Sequence, residues 1–172
     1  MRVCGIDLGS PGGLVVLTDE GSNGIWPLCA ETLPPRLNGL ELQRLVHRLC
    51  KEHRVELMAT EKPGFWGNPM IGMAQREKQG LVRAVCEALQ IRLVAYQPQE
   101  VKKAVAGHGR APKEAMTRCV RALVRIASED EHVCDAASIA LVAMNRERVH
   151  RQMAAQQRLN LRRSARRKVR QP

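Results

Sequence analysis

The chain has 172 residues, and none of its apolar runs approaches the roughly 20 residues that cross a bilayer. This length suits one domain with a single core. Six scattered cysteines without a Cys-x-x-Cys pair suggest neither a zinc site nor a disulfide framework, and agree with reduced thiols. Since no signal peptide is visible either, we expect a soluble, cytoplasmic protein without membrane contact. The formal net charge of +11 favours a polyanionic partner.

The first half of the chain predicts strands and one helix. Apolar runs bounded by tight turns predict antiparallel strands at Arg2–Asp7, at Gly13–Thr18 and near Gly24–Leu28. An amphipathic repeat predicts a helix over Leu40–Arg54, which leads into a strand at Val55–Thr60. A crossover of that length favours a parallel neighbour for this strand.

The second half predicts helices and one more strand. A long helix follows the loop Pro63–Pro69, and the strand Ile91–Tyr96 comes after it. The last two helices are predicted at Ala115–Ala127 and Asp135–His150. We see no internal repeat and no second domain, and the order of elements indicates an α/β protein.

The positive charge is concentrated at the C-terminal end. From Arg146 onward there are ten Lys or Arg residues and one acid, Glu147, so +9 of the net charge lies there. Clusters such as Arg166–Lys168 are typical of segments that bind phosphates and release counterions. A solvated or disordered basic end would have the same composition. We divide the chain into a folded domain, residues 1–150, and a basic tail, residues 151–172.

Three acids stand where α/β folds place their ligands. Asp7 ends the first strand, Glu61 follows the fourth, and Asp135 belongs to an acid-rich segment that opens the last helix. Carboxylates at the C-terminal ends of strands project into the crevice where such folds bind ligands. Oxygen donors that converge there suit a hard divalent ion such as Mg²⁺. Taken singly, each acid can equally be a turn cap, a surface residue or a helix-start acid.

Four blocks, in this order along the chain, resemble the RuvC family of Holliday-junction resolvases. The blocks are Gly5–Ser10, Glu61 with the following aromatic loop, Val101–Lys113, and His132–Leu141. This family belongs to the RNase H and retroviral-integrase superfamily. The resemblance therefore implies an RNase H-like nuclease domain, with a five-stranded mixed sheet flanked by helices.

The resemblance also implies a metal-dependent endonuclease that resolves four-way DNA junctions by paired nicks. The implied catalytic and metal-binding residues, which would hold two Mg²⁺ ions or two Mn²⁺ ions in their place, are Asp7, Glu61, His132 and Asp135. His132 and Asp135 stand at i and i+3, on one face of a helix. Many relatives carry an acid at the position of His132, and the imidazole favours a softer ion such as Mn²⁺. We interpret Asp130 and Glu131 as capping or solvated acids.

The same resemblance assigns DNA contacts. The candidates are Phe65, Trp66, Asn68, Lys102, Arg110 and Lys113. Lys102 and Lys113 would contact or polarise phosphates. We expect one of the two loop rings to pack on the core and the other, Phe65, to wedge between bases at the junction centre. The segment Gly107–Arg110 lacks the third glycine and the P-loop lysine of a nucleotide-binding loop, so we interpret it as a tight turn.

Two departures from the family pattern widen the expected substrate range. Leu8 replaces the usual proline, and the loop Pro63–Pro69 is unusually rich in Pro and Gly. A phage-type relative with broader action on branched DNA is therefore an alternative. The expected assembly is a homodimer, since a two-fold dimer presents two equivalent sites to a nearly two-fold junction. The resemblance also allows a branch-migration helicase as a partner.

Two other hypotheses stay open. The acids and the basic tail would equally suit an RNA-processing nuclease of the same fold, or a non-catalytic nucleic-acid-binding protein. An actin-like phosphate-binding fragment, suggested by Asp7–Ser10, is disfavoured because one domain cannot form a two-lobed nucleotide cleft. Phe65, Lys102 and Lys113 favour junction DNA over RNA.

Overall fold

A five-stranded mixed sheet, with the strand order β3-β2-β1-β4-β5, organises the computed structural model, which describes residues 1–19, 24–64 and 69–169. The strands are β1 (Arg2–Asp7), β2 (Gly12–Thr18), β3 (Trp26–Leu33), β4 (Leu57–Glu61) and β5 (Arg92–Tyr96). β1, β2 and β3 pair antiparallel, whereas β4 and β5 extend the sheet in parallel from β1. The sheet therefore has the mixed five-stranded topology that the family resemblance implied.

Helices cover both faces of this sheet. They are α1 (Gly39–Glu52), α2 (Pro69–Ala88), α3 (Pro98–Ala106), α4 (Lys113–Val124) and α5 (Glu131–Val169). One core, which includes Cys4 and Ile6 of β1, lies under α1 and α2. A second core, which includes Val3 of β1, lies under α3, α4 and α5. Successive residues of β1 thus point to opposite layers, as the two-residue repeat of a strand requires.

The predicted elements need three corrections. β3 begins at Trp26 and ends at Leu33, later and longer than the strand predicted near Gly24–Leu28. α3 was not predicted: no element was assigned to its residues, and the predicted turn, Gly107–Arg110, comes directly after it. Pro98 opens this helix, and the Glu100 side chain accepts a 2.8 Å hydrogen bond from the Gln97 backbone N–H, so local capping stabilises nine residues of helix.

The third correction concerns the length of α5. The predicted helix ended at His150, where the apolar pattern that marks a core-facing helix has already stopped. In the structure α5 continues to Val169, through the boundary drawn between domain and tail. The added segment is rich in Ala, Gln, Leu and Arg and contains neither Gly nor Pro, so its intrinsic helix propensity is high without a core contact.

Two glycines let α5 lie directly on the sheet. A Cβ atom on Gly5 of β1 would stand 2.1 Å from the Ala136 carbonyl oxygen, and one on Gly13 of β2 would stand 2.1 Å from the His132 carbonyl oxygen. No side chain fits at either place. Ala136 and Ala140 supply the small surface on the helix side. This close approach holds the first turns of α5 over the ends of β1 and β2.

Among the helices within the described ranges, none is both long enough and apolar enough to span a membrane. All six cysteines are free thiols. Burial raises the pKa of the Cys50 thiol to about 12, so this group stays protonated and serves as a small apolar core residue.

Candidate active site

β1 and β4 bring Asp7 and Glu61 to the same edge and the same face of the sheet. The two strands are parallel neighbours, and each acid is the last residue of its strand. Val3 of β1 and Ala59 of β4 lie in the core under α5. Since residues two or four apart in a strand share a face, both acids project toward α5. Both residues line the crevice beyond the ends of the two strands.

Asp130 fixes where α5 begins. Its side chain accepts a 2.8 Å hydrogen bond from the backbone N–H of His132, and the Thr32 hydroxyl donates to its other oxygen. The hydrogen bond from Thr32 is the main cause that lowers the pKa of Asp130, so the group remains an anion at the N-terminus of the helix. Asp130 is thus a capping acid, as the sequence indicated, and it sets the position of the next turn.

That turn brings His132 against Asp7. The imidazole Nδ1 lies 3.3 Å from Asp7 Oδ2, while Asp7 Oδ1 accepts a 3.0 Å hydrogen bond from the backbone N–H of Gly9. The side chains of His132 and Asp7 are 22% and 21% exposed, so both are mostly shielded but still reachable from the crevice. Residues 125 positions apart in the chain are therefore direct neighbours here.

Asp135, one turn further along α5, faces a lysine. Lys113 Nζ lies 3.7 Å from Asp135 Oδ2 and 2.9 Å from Glu131 Oε2. Although partial burial acts to lower it, the hydrogen bond to Glu131 and the charge of Asp135 raise the pKa of Lys113, which keeps the ammonium charged. Lys102, Lys113, Glu61 and Asp135 line one cleft between α3, α4 and α5.

The electrostatics of this cleft are dominated by carboxylates held close together. Burial, followed by the negative charges of Asp135 and Asp7, raises the pKa of Glu61 to about 7, and Lys102 and Lys113 offset this only in part. Burial also raises the pKa of Asp135, with Lys113 acting against it and Asp7 adding to it. Such convergent, partly desolvated acids favour a bound cation.

The donor set fits hard divalent metal ions, although the side chains are not arranged around one. Within residues 1–19, 24–64 and 69–169, no group of three His, Cys, Asp or Glu side chains is close enough to hold an ion as placed. Asp7 instead contacts His132, and Asp135 lies beside Lys113. Carboxylate oxygens with an adjacent imidazole are ligands that Mg²⁺ and Mn²⁺ accept, so the chemistry of the site is compatible with such ions.

Of the predicted DNA-binding residues, some line the carboxylate cleft and others do not. Lys102 and Lys113 both line the carboxylate cleft. Arg110 is exposed in the turn between α3 and α4, apart from that cleft. Phe65, Trp66 and Asn68 lie outside the described residues, so their assignment stays a prediction.

Sequence reasoning missed a lysine behind the Asp7 turn. Lys78, on α2, donates from Nζ to the carbonyl oxygen of Gly9 at 3.1 Å and to that of Leu8 at 3.5 Å. It therefore ties the turn that follows Asp7 to α2. Gln75, one turn earlier on α2, lines the crevice beside Asp7 and Glu61. Both residues belong to a polar face of α2. Nothing in the sequence distinguishes them from the solvent-exposed polar residues beside them.

Fold and site together define an RNase H-like nuclease: a mixed sheet whose parallel strand ends carry acids, covered by a helix that adds another. Comparison with known proteins gives the family. Residues 3–143 match the family described as "Crossover junction endodeoxyribonuclease RuvC". The chain therefore belongs to the RuvC family.

Individual relatives agree with this assignment. The RuvC protein of Alkalilimnicola ehrlichii is 32% identical over 148 residues, which cover 81% of this chain and 88% of the relative. The RuvC protein of Thermomicrobium roseum is 29% identical over 152 residues, which cover 82% of this chain and 91% of the relative. Both are named as crossover junction endodeoxyribonucleases.

Solved structures agree as well. Thermus thermophilus RuvC superposes with a TM-score of 0.75 and 29% identity, over 87% of this chain and 97% of that one. The structure of the same protein in complex with a Holliday junction substrate superposes with a TM-score of 0.72, over 82% of this chain and 91% of that one. A yeast mitochondrial Holliday junction resolvase, at 11% identity and a TM-score of 0.60, shares the fold.

These matches confirm the resemblance, the RNase H-like fold and the predicted function of a Holliday junction resolvase nuclease. The family is divalent-metal-dependent, which agrees with the acids in the crevice. The matched region ends at residue 143, so most of the exposed part of α5 lies beyond it.

Proposed function

We propose that the protein cuts opposing strands of a four-way DNA junction with Asp7, Glu61 and Asp135 as its metal-binding carboxylates. The observation that supports this most is their convergence. Glu61 of β4 lines one crevice with Asp7 of β1 and a second cleft with Asp135 of α5. The negative charges of both neighbours contribute to the raised pKa of Glu61. Maintaining such a cluster is unfavourable unless a cation neutralises it.

Two ions are proposed for this crevice, Mg²⁺ with Mn²⁺ as an effective substitute. Asp7 would contribute to holding both ions, Glu61 would help to hold one of them, and His132 and Asp135 would help to hold the other. When bound, the ions would supply an activated water and stabilise the leaving oxygen of the scissile phosphate. His132 reaches this role only by exchanging its 3.3 Å contact with Asp7 for metal coordination.

The lysines of the cleft have a separate task. Lys102 and Lys113 line the same cleft as Glu61 and Asp135. A phosphate that enters would be attracted to these two ammonium groups, and Lys113 would exchange its contact with Glu131 for a phosphate oxygen. We propose that they orient the scissile phosphate and screen its charge from the acids.

The proposed assembly is a homodimer on branched DNA. A four-way junction is nearly two-fold symmetric, and two copies related by a two-fold axis would present one crevice to each of two opposing strands. Paired nicks follow if both crevices act within the lifetime of one complex. Sedimentation of the protein at micromolar concentration would show a species of twice the chain mass.

A substrate panel tests the proposal. An end-labelled four-way junction, a flap, a linear duplex, a single strand and a structured RNA are incubated side by side with Mg²⁺ or Mn²⁺. The proposal expects symmetrically placed nicks in the junction and little cleavage of linear duplex. Equal cleavage of all branched substrates would indicate the broader, phage-type specificity. Cleavage of RNA alone would overturn the DNA substrate.

A further inference from the structure

Beyond the sheet, α5 continues as an exposed helix. Among the residues of α5 whose burial is described, up to Leu161, Met144 is the last that is fully buried, and the helix then runs on to Val169. At 1.5 Å per residue this continuation is about 38 Å long. Nearly every described side chain from Val149 to Leu161 is exposed to solvent. We define residues 152–169 as the distal arm.

The first arginines past the core hold the helix to the domain. Arg148 Nε lies 2.8 Å from Asp19 Oδ2. Arg146 Nη2 lies 3.2 Å from Glu100 Oε1, and its guanidinium stacks over the ring of Tyr96 at 4.6 Å from the centroid. These cations are therefore neutralised by acids of the folded domain and serve as anchors.

Arg151 completes the anchored segment. Its Nε lies 3.0 Å from Glu147 Oε1 and its Nη2 lies 3.5 Å from Glu56 Oε2, while Glu147 also pairs with Arg92 of β5. Glu147 is the last acid of the chain. Past Arg151 the sequence contains no acid that could neutralise a basic residue within the helix.

The distal arm is consequently a helix of unbalanced positive charge. Its six basic residues are Arg158, Arg162, Arg163, Arg166, Arg167 and Lys168. Arg158, Arg162 and Arg166 are spaced four apart in the sequence, which is the spacing of neighbouring residues along one stripe of a helix. Like charges at this spacing repel and destabilise an isolated helix. A polyanion laid along the stripe would remove that repulsion and release its own counterions.

We infer that the distal arm binds the phosphate backbone of a duplex arm of the DNA substrate. The identity of this partner rests on the proposed function. About 35 Å of helix separates Asp135 from Arg158, which is close to one turn of B-DNA. The distal arm is thus placed to contact duplex roughly one turn from the cleaved phosphate, where it supplies affinity and takes no part in the chemistry.

The test uses a charge-neutral variant of the full chain, in which all six basic residues of the distal arm are replaced by Gln, a good helix former. Affinity for a linear duplex and for a four-way junction is measured by fluorescence anisotropy in EDTA across a salt series. The slope of log affinity against log salt should fall by about 0.9 for each phosphate that the variant no longer neutralises, or about 5 if all six basic residues contribute. Affinity at low salt should drop at least about tenfold for both substrates.

Two controls separate charge from other roles of the helix. Replacing the five arginines of the distal arm by lysine keeps the charge and should preserve the salt slope. Replacing Gln152, Gln156 and Gln157 by alanine changes the same helix without altering charge and should also leave the slope unchanged. Circular dichroism of each variant shows whether the helix is retained.

An unchanged salt slope in the Gln variant overturns the inference, as does an equal loss in the lysine control. If the Gln variant has a smaller salt slope on structured RNA but an unchanged slope on DNA, the inference is also overturned, in favour of an RNA partner. If the variant instead loses self-association, the distal arm contacts a second copy and the inference is wrong. A failed proposed function is distinguishable, because the junction would then not be cut while the slope effect on duplex DNA remained.

Discussion

The two ends of α5 differ in almost every physical respect. At the N-terminal end the helix lies so close to β1 and β2 that Gly5 and Gly13 have no room for a Cβ atom, and His132 and Asp135 stand among half-buried acids. At the C-terminal end nearly all of the described side chains, from Val149 to Leu161, are exposed, and every charged residue past Glu147 is basic. In our proposals, one helix places chemistry at one end and affinity at the other, so each function should be removable alone.

Asp7→Asn should produce the largest separation between cleavage and binding. It removes an anionic ligand shared by both proposed ions and leaves the basic surfaces intact. Cleavage should fall by more than the roughly 10–100-fold that loss of an outer-shell partner causes, with little change in junction affinity. Single-turnover cleavage and anisotropy would measure the two effects.

Asp130→Asn is the matched control, because asparagine caps a helix as well as aspartate does. This variant should cleave like the parent, since Asp130 holds the start of α5 and is not a proposed ligand. Substantial hydrolysis by the Asp7→Asn protein would remove Asp7 from the active site.

Glu61→Gln should abolish cleavage and stabilise the protein in EDTA at alkaline pH. The pKa of Glu61 is raised from 4.5 to about 7, so the folded state binds more protons than the unfolded state in that window. Stability should therefore fall as pH rises through it, by about 3 kcal/mol for this one group. Urea unfolding at pH 5 and pH 8 should show the parent losing this amount and the variant not.

The exposed acid Glu52 offers a control for that experiment. Its side chain is 55% exposed on α1, and Glu52→Gln should leave the difference in stability between pH 5 and pH 8 as in the parent. If Glu61→Gln showed the same pH dependence as the parent, the repulsion among the crevice acids would be too weak to matter.

His132 should have a smaller and metal-specific effect. As a metal ligand, His132→Ala should raise the concentration of Mn²⁺ needed for half-maximal rate, and His132→Asp should restore activity with a preference shifted toward Mg²⁺. His47→Ala, at an exposed histidine of α1, is the control and should change neither quantity. Unaltered metal dependence in both His132 variants would leave Asp7, Glu61 and Asp135 as the complete set of ligands.

Lys78→Met should have the smallest effect on cleavage. Lys78 ties the turn after Asp7 to α2, so its loss should act through the position of Asp7 and lower kcat about tenfold with KM nearly unchanged. Lys78→Arg should recover part of the rate, because a guanidinium can still donate to the Gly9 carbonyl oxygen. Lys51→Met, on an exposed turn of α1, should cleave like the parent. A rise in KM alone would indicate substrate contact instead.

Features of the fold and the candidate site could be predicted from the sequence where they depend on neighbouring residues, and not where they depend on distant ones. Strands such as β1 follow from their apolar runs, and Asp7 and Glu61 could be proposed because each ends a strand. Lys78 could not, since its partner is a backbone carbonyl 69 residues away that no pattern marks. The closeness of His132 to Asp7 likewise depends on Gly13, whose missing side chain matters only once α5 lies on β2.

The C-terminal end of α5 is a second feature that local sequence patterns could not predict. The basic composition was evident in the sequence, but a charged stretch can be helical or irregular, and the apolar repeat that predicts helices had already ended. Which arginines are anchors depended on acids as distant as Asp19. Arg148 is an anchor because it pairs with an acid of the folded domain, whereas Arg158 belongs to the distal arm. Composition alone does not distinguish the two residues.

The most direct test combines the two ends in one cycle: the parent, Asp7→Asn, the charge-neutral distal-arm variant, and both changes together. Junction affinity is measured in EDTA and single-turnover cleavage in Mg²⁺ at saturating protein. Neutralising the distal arm should weaken affinity by the same factor in either background, within about 0.5 kcal/mol, because the sites are far apart. The saturated cleavage rate of the distal-arm variant should stay within about twofold of the parent. A saturated rate that collapsed as it does in Asp7→Asn would contradict the separation of chemistry from affinity.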